Sequence, residues 1–438
     1  MTSQQEIRDP IHNFIRLDPS EIKALDSAPF QRLRNIHQLA LTYLLYPGAT
    51  HRRFEHSLGV MELAGRVYDV VTDLSNIKHD SVRDVIPYDL IKYWRRTLRM
   101  AALCHDLGHL PFSHAAESHL LPDGWDHERL TMQFIRSGEM KPIWDSLKVD
   151  PDDVAKLAVG PEHYKEDSFS DWEAILSEII VGGAFGVDRI DYLLRDSHHI
   201  GVAYGRFDHY RLIDTLRILP REYKNSEEES GSQEPTLGIE EGGLHSAESL
   251  LLARYFMFSQ VYCHHVRRIY DIHLMDFLKA WLPDGQFPTS AEDLLRITDN
   301  EVTSELSAAA RDTMHPAHIH ARRVVGREHF RLLYQRNPED QGTNRRSSQR
   351  IFDAARDRFG GSEVRYDSYR QKSGGLDFPV LVKDRRIMSS LSLSDTLARV
   401  PVVAIDYVFV SPGCRKKAEI WLGKNRKEII ASKGDEDE

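Results

Sequence analysis

Cysteine is scarce in this 438-residue chain: Cys104, Cys263 and Cys414 stand far apart, too few for a disulfide framework or a thiolate zinc site. They read as buried filler in a protein of a reducing compartment. Long apolar runs are also missing, since no stretch approaches the roughly 20 residues that span a bilayer, and a membrane role is therefore not expected. Met1 to Pro10 carries neither a basic n-region nor an apolar h-region, which predicts a cytoplasmic location. Positive charge is not in excess either. A net charge of -10 disfavours a general polyanion binder, so nucleic acid is not the favoured partner.

What is present is ample core-forming material, with 41% hydrophobic residues, enough for two or three domains or one large one. Cations are grouped between Arg32 and Arg53 and between Arg254 and Arg268, whereas the acids are spread. That grouping suits a small anionic ligand. Apolar residues recur at three and four spacing over Leu58 to Val71, Trp94 to His105, Trp172 to Val181 and Ser249 to Leu282, which predicts helices. Asp126 precedes the segment of His127 as a capping residue, as Thr289 or Ser290 precedes residues 291–297. Residues 222–243 have the composition of a solvated loop, flanked by β-compatible Leu216 to Leu219 and Thr236 to Ile239; a hairpin or loop excursion is expected at about 216–243. Beyond residue 330 a polar, basic stretch gives way to β-branched runs at Pro379 to Val382 and Val400 to Val410. The expected fold is mainly α, with a helical core over 1–330 and a smaller C-terminal α/β lobe over 331–438 that ends in an acidic tail.

Chemistry concentrates in His105-Asp106-Leu107-Gly108-His109, followed by Pro111-Phe112-Ser113-His114. Adjacent His and Asp reach one cation where a helix ends, and Gly108 is read as permitting that end. Arg53-Phe54-Glu55-His56 and Val187-Asp188-Arg189-Ile190-Asp191-Tyr192 each open another helix. Imidazole and carboxylate from three such elements suit Mn²⁺, Fe²⁺, Zn²⁺ or Mg²⁺. A cation so held lowers the pKa of water and polarises a phosphoryl oxygen. Asp188, Tyr192 and Asp196 recur every fourth residue, as do Arg254, Phe258 and Tyr262, with His265 beyond, so each set reads as one helix face turned to a polar ligand.

These elements, in this order, resemble the HD superfamily of phosphohydrolases. One branch is closer still. Asp9-Pro10-Ile11-His12, Phe30-Gln31-Arg32-Leu33-Arg34, Gln38-Leu39, Tyr46-Pro47-Gly48-Ala49, Arg53-Phe54-Glu55-His56-Ser57-Leu58-Gly59 and Asp191-Tyr192 through Arg195-Asp196 are similar to blocks of the vertebrate sterile-alpha-motif/HD dNTP triphosphohydrolases and their bacterial relatives. The resemblance is strong over residues 5–270 and loose beyond, and no sterile-alpha-motif segment is present. It implies an HD-domain helical core and hydrolysis of deoxynucleoside triphosphates to deoxynucleoside and tripolyphosphate. It implies His56, His105, Asp106 and Asp188 as metal ligands, with Mg²⁺ also on the substrate phosphates.

The same resemblance assigns His109, His114 and His127 to the catalytic group, and places Glu117 where the family has an orienting Asp. Arg53 and Arg254 match phosphate-binding positions, and Arg189 stands where the family has Lys. Gln38, Leu39, Tyr192 and Asp196 match the sugar pocket, with Tyr262 and His264 near the base. Asp26, Gln31 and Arg34 match an activating GTP or dGTP site, although Gln5 and Arg8 replace a Lys and an Asn there. A homo-oligomer, dimer or tetramer, is implied. Two other readings stay open: an HD phosphodiesterase or nuclease acting on cyclic nucleotides or single strands, and a nucleotide-binding regulatory or defence component with residual catalysis.

Overall fold

The computed structural model describes residues 5–77, 83–113, 120–222, 233–371 and 377–431. The chain is mainly helical with small sheets. It forms two compact units, and neither is one continuous segment. The first comprises 1–257, 288–300 and 374–400; the second comprises 258–287, 301–373 and 401–438.

The first unit opens with an antiparallel hairpin of β1 (Gln5–Asp9) and β2 (Asn13–Leu17), with Asp9 opposite Asn13. Asn13 turns it with φ 64°, a region Asn tolerates better than most residues. Helix α1 (Pro19–Leu25) follows because Asp18 accepts from the Ser20 and Glu21 amides while Glu21 reciprocates to the Asp18 amide. A short α2 (Ala28–Arg32) is capped by Ser27.

Helix α3 (Arg53–Val71) is the centre of the unit, with Phe54, Leu58, Val60, Met61, Leu63, Ala64, Val67 and Tyr68 all buried. Truncating a fully buried side chain such as Met61 to Ala costs about 2–5 kcal/mol. Helix α4 (Ile91–Cys104) carries Lys92, Arg95 and Arg96 at its start, then buries every residue from Thr97 to Cys104. The apolar half packs on α3. Helix α5 (His127–Ile135), capped by Asp126, packs on α6 (Pro151–Val159), which in turn packs on α4. Helix α7 (Asp171–Val181) is set by a Ser170–Glu173 capping box, and α8 (Val187–Ile200) packs along α3.

Residues 216–240 form an antiparallel pair, β3 (Leu216–Glu222) and β4 (Gln233–Glu240). Strand β7 (Pro379–Leu381) joins β4 in parallel, and β8 (Ile387–Ser389) completes the order β3-β4-β7-β8. Glu178 of α7 fastens this sheet by accepting from the Thr236 hydroxyl and the Leu237 amide. Helix α9 (Leu244–Met257) ends the long first segment.

The uninterrupted helix expected over Ser249 to Leu282 is corrected by the structure. After Met257 the chain makes a π-helical turn at Phe258–Tyr262, and α10 (His265–Trp281) starts afresh with His264 as its cap. The face expected to carry Arg254, Phe258 and Tyr262 is thus broken. The apolar period continues across the break, which is why spacing alone missed it.

In the second unit, strands β5 (Arg331–Gln335), β6 (Val364–Arg370) and β9 (Ala404–Val410) form an antiparallel sheet with β9 in the middle. Helices α11 (Ser347–Phe359) and α12 (Arg415–Ala431) contribute Ile351, Ala355, Ala418 and Leu422 to a core with Val364, Val408 and Val410. On the other face of β9, Tyr407 donates to the Cys263 carbonyl. Among the described residues no helix is long and apolar enough to cross a membrane.

Candidate active site

The site is assembled where α3 and α8 begin and α4 ends. Arg53 and His56 lie on the first turns of α3, and the Glu55 carboxylate accepts from the Arg52 amide to fix that start. His105 caps α4 with helical backbone angles, and its Nδ1–H donates to the Ala102 carbonyl at 2.8 Å. That bond fixes the tautomer and leaves Nε2 as a lone-pair donor. The turn through Asp106 to His109 follows. Gly108, expected to permit the helix end, has no positive φ; a Cβ there would lie 2.0 Å from the His127 carbonyl oxygen. Its role is close approach to α5.

His56, His105 and Asp106 bring their donor atoms within 4.8 Å of one another, all buried. Asp188, on the first turn of α8, places Oδ1 3.1 Å from His56 Nε2 and 3.7 Å from His105 Nε2. Asp106 Oδ1 lies 3.2 Å from His105 Nε2 and 3.1 Å from His109 Nε2. Despite these close carboxylates, His56 Nε2 and His105 Nε2 are buried without a hydrogen-bond partner. Two convergent imidazole nitrogens facing two carboxylates fit a divalent cation.

Electrostatics agree with an anionic pocket. Burial acts to raise the Asp106 pKa, but His105, Arg53 and His109 outweigh it and hold the carboxyl well below the usual range. At Asp188, whose side chain is 36% exposed, desolvation is likewise overruled by interactions with His105 and His56. Burial, Arg53 and His127 push His109 well below the ordinary imidazole value. His109 stacks on His127 at 4.0 Å, and His127 Nδ1 lies 3.1 Å from Glu128. Arg53 Nη1 donates to Asp106 at 2.6 Å, while its Nε and Nη2 are buried without partners.

The expected sugar-pocket residues lie on α8 and on the segment that leads into α3. The Gln38 amide donates to the His51 carbonyl, and the Arg53 amide to Ile36, which draws Gln38 and Leu39 alongside the start of α3. The Gln38 side-chain oxygen is buried with no partner. Asp188, Tyr192 and Asp196 share one α8 face. Burial raises the Tyr192 pKa, opposed by the positive charges of Arg189 and Arg254. Arg189 donates to the Gly182 and Gly183 carbonyls.

The remaining candidates are placed differently. Tyr262 and His264 belong to the second unit, where His264 accepts from the Val266 amide. Asp26 caps the C-terminal end of α1, and Gln31 accepts from Arg34 at 2.8 Å while Arg34 lies over the Phe54 ring. His114 and Glu117 lie outside the described residues.

Several contributors carry no local sequence signal. His51 Nε2 donates to Asp196 Oδ1 at 2.7 Å and stacks on His199. Arg32 donates to the carbonyls of His109 and Leu294. Asp299 accepts from the Phe112 amide on one oxygen and from the His37 amide and ring on the other, securing a loop in which Phe112 has φ 54°. Glu128 could have been found as the carboxylate next to His127. A second group, Asp126, Glu128 and His163, also gathers at partly exposed positions.

Comparison with known proteins places this geometry. Residues 53–167 match the HD domain and residues 207–355 the HD associated region. An uncharacterized protein of Methanocaldococcus jannaschii is 36% identical over 272 residues, covering 60% of this chain and 47% of that protein. The deoxynucleoside triphosphate triphosphohydrolase SAMHD1 of Homo sapiens is 36% identical over 234 residues, 48% of this chain and 36% of that one. The chain thus spans about half, or less, of the length of the curated relatives it matches. A crystal structure of a hypothetical protein from Aquifex aeolicus superposes with a TM-score of 0.76 at 31% identity, covering 96% of this chain and all of that one. With its helical core, its His56-His105-Asp106 group and these likenesses, the chain belongs to the HD-domain phosphohydrolases.

Proposed function

We propose that this protein hydrolyses deoxynucleoside triphosphates to deoxynucleoside and tripolyphosphate, with a divalent cation held by His56, His105, Asp106 and Asp188. The observation that carries the reading is the convergence of two buried imidazole nitrogens, His56 Nε2 and His105 Nε2, on Asp106 and Asp188, next to Arg53, whose Nε and Nη2 are buried without a hydrogen-bond partner. Cation ligands and phosphate donors then meet at one place. The likeness to the SAMHD1 enzymes, named as deoxynucleoside triphosphate triphosphohydrolases, supports the substrate class.

When bound, the cation supplies an acidified water and a Lewis acid for a phosphoryl oxygen. Arg53 gives its two remaining donors to phosphate oxygens, a task the guanidinium fork suits. Arg254, whose positive charge acts on the Tyr192 hydroxyl, is the second candidate phosphate donor. His109 and His127, stacked on one another, supply imidazole nitrogens for handling the proton of the leaving oxygen. Asp196, steadied by His51, accepts the 3′-hydroxyl, while the face of the Tyr192 ring and the Leu39 side chain leave no polar partner for a 2′-hydroxyl.

Purified protein incubated with each dNTP and NTP, singly and in mixtures, with Mn²⁺ or Mg²⁺, tests the reading. Tripolyphosphate from dNTPs is the expected product. Release of monophosphates, or turnover of cyclic nucleotides or single strands instead, would replace it by the phosphodiesterase reading. Activity only in mixtures containing GTP or dGTP would add an activator at Asp26, Gln31 and Arg34.

A further inference from the structure

We infer that Asp191 is a positioning residue of the metal centre, and that through Arg195 and Asp9 it makes the turn of the N-terminal β1–β2 hairpin part of that centre. The inference rests on the reading of His56 as a metal ligand.

Asp191 lies on α8 one turn beyond Asp188 and is fully buried. Its Oδ2 accepts from His56 Nδ1 at 2.8 Å and from Arg195 Nε at 2.8 Å. Its Oδ1 accepts from His12 Nε2 at 2.6 Å and from Arg195 Nη2 at 3.0 Å. A carboxylate has about four acceptor positions, and all are taken. Asp191 therefore has no lone pair left for a cation, although it stands beside the ligands. What it does instead is hold His56 with the proton on Nδ1, so that Nε2 points its lone pair at His105, Asp106 and Asp188. An anionic acceptor behind an imidazole both orients the ring and strengthens it as a ligand.

The chain of contacts continues away from the site. Arg195 Nη1 donates to Asp9 Oδ2 at 2.9 Å, and Asp9 Oδ1 accepts from the Ile11 and His12 amides at 2.9 and 2.8 Å. Asp9, His12, Asp191 and Arg195 are each buried, so no water competes for these bonds. Gly59 on α3 leaves the space for them: a Cβ there would sit 1.9 Å from Asp191 Oδ1 and 2.5 Å from Arg195 Nη2. The two ligand histidines are thus steadied differently. His105 leans on a carbonyl of its own helix, whereas His56 leans on a charge anchored in the hairpin turn.

The test uses the full chain and measures Mn²⁺ affinity by competition with a fluorescent chelator, next to thermal unfolding of the metal-free protein. Asp191→Asn should weaken Mn²⁺ binding by about 10- to 100-fold, with Asp9→Asn and His12→Gln weakening it less but in the same direction. Glu21→Gln is the control: the Arg99–Glu21 pair ties the same N-terminal segment to α4 and touches no ligand. It should lower the unfolding midpoint and leave Mn²⁺ affinity unchanged. Asp191→Asn that folds and binds Mn²⁺ like the wild type, while His105→Ala has lost it, overturns the inference and spares the ligand reading. Should Asp191→Asn not fold, unchanged affinity in both Asp9→Asn and His12→Gln overturns it. Equal binding by wild type and His105→Ala would instead strike at the ligand reading underneath.

Discussion

Arg53 shows how one residue sets the charge balance of the site. Its guanidinium is the buried partner of Asp106, and only one of its nitrogens is spent on that carboxylate. Arg53→Ala strands Asp106 and should cost about 3–5 kcal/mol of stability, read as a lower urea midpoint. Arg53→Lys keeps the charge but loses the fork. Losing one charge-assisted hydrogen bond, worth about 1.5–3 kcal/mol, should lower kcat/KM by roughly 10- to 150-fold for all four dNTPs alike. A deficit confined to one base would place Arg53 on the base instead. In the proposed dNTPase reading Leu39, buried beside Ala40 at φ 46°, belongs to the sugar pocket. An unpaired 2′-hydroxyl there costs about 1–3 kcal/mol. Leu39→Ala should narrow the gap between dATP and ATP in competitive assays, whereas Asp196→Ala should depress dATP hydrolysis outright; an unchanged ratio in Leu39→Ala would remove that residue from the sugar pocket.

At the scale of elements, Gly108 governs how closely the end of α4 meets α5. Gly108→Ala should cost about 1–3 kcal/mol through overpacking, and it should lower turnover by moving His127 off His109; a thermal melt and an activity assay report the two effects. The second unit carries a different sensitivity. Burial, then Arg323, Arg365, His329 and His320, lowers the His273 pKa from 6.5 to about 2, and its Nε2 accepts from the Phe330 amide. The folded state excludes a proton that the unfolded chain accepts below 6.5. Stability is therefore complete above that pH and lost as pH falls from 6.5 toward 2, by about 1.4 kcal/mol per pH unit. In urea unfolding followed by exchange protection of the β9 amides, His273→Gln should flatten the loss between pH 7 and 5. Equal slopes would mean that His273 does not carry the effect.

Elements were also where the sequence was most legible. The periods over Leu58 to Val71, Trp94 to His105 and Trp172 to Val181 correspond to α3, α4 and α7, because one buried face recurs every three or four residues. The cap at Asp126 was readable for the same local reason. The break after Met257 was not, since nothing in the apolar spacing stops there. Pairings of distant residues left no trace at all: Asp191 and Arg195 look like an ordinary surface pair on one helix, yet their partners His12 and Asp9 lie 179 and 186 residues earlier. His51 beside Asp196, and Asp299 beneath Phe112, were hidden in the same way.

On the scale of the whole molecule, the chain passes between its two units five times. The first unit's sheet takes β7 and β8 from beyond residue 378, with Ile239 opposite Val380 and Phe378 packed on Phe185 at 4.6 Å. A chain cut after residue 330, where the composition changes, would leave β4 with an open edge and Phe185 uncovered. Residues 1–330 alone should be poorly soluble, or melt well below the full chain in a thermal scan. A truncated chain that melts like the intact one would show that β7 and β8 are dispensable.

The interleaving also sets an order of events during synthesis. All four candidate metal ligands have been translated by residue 188, but Asp299, which secures the loop after His109, follows about 110 residues later. At ribosomal rates of ~5–20 residues per second that is a delay on the order of ten seconds. If the four residues hold a cation as proposed, the nascent chain carries an unfinished cation trap through that interval, and stalled ribosome complexes released at residue 280 and at residue 320 should differ in the Mn²⁺ they retain.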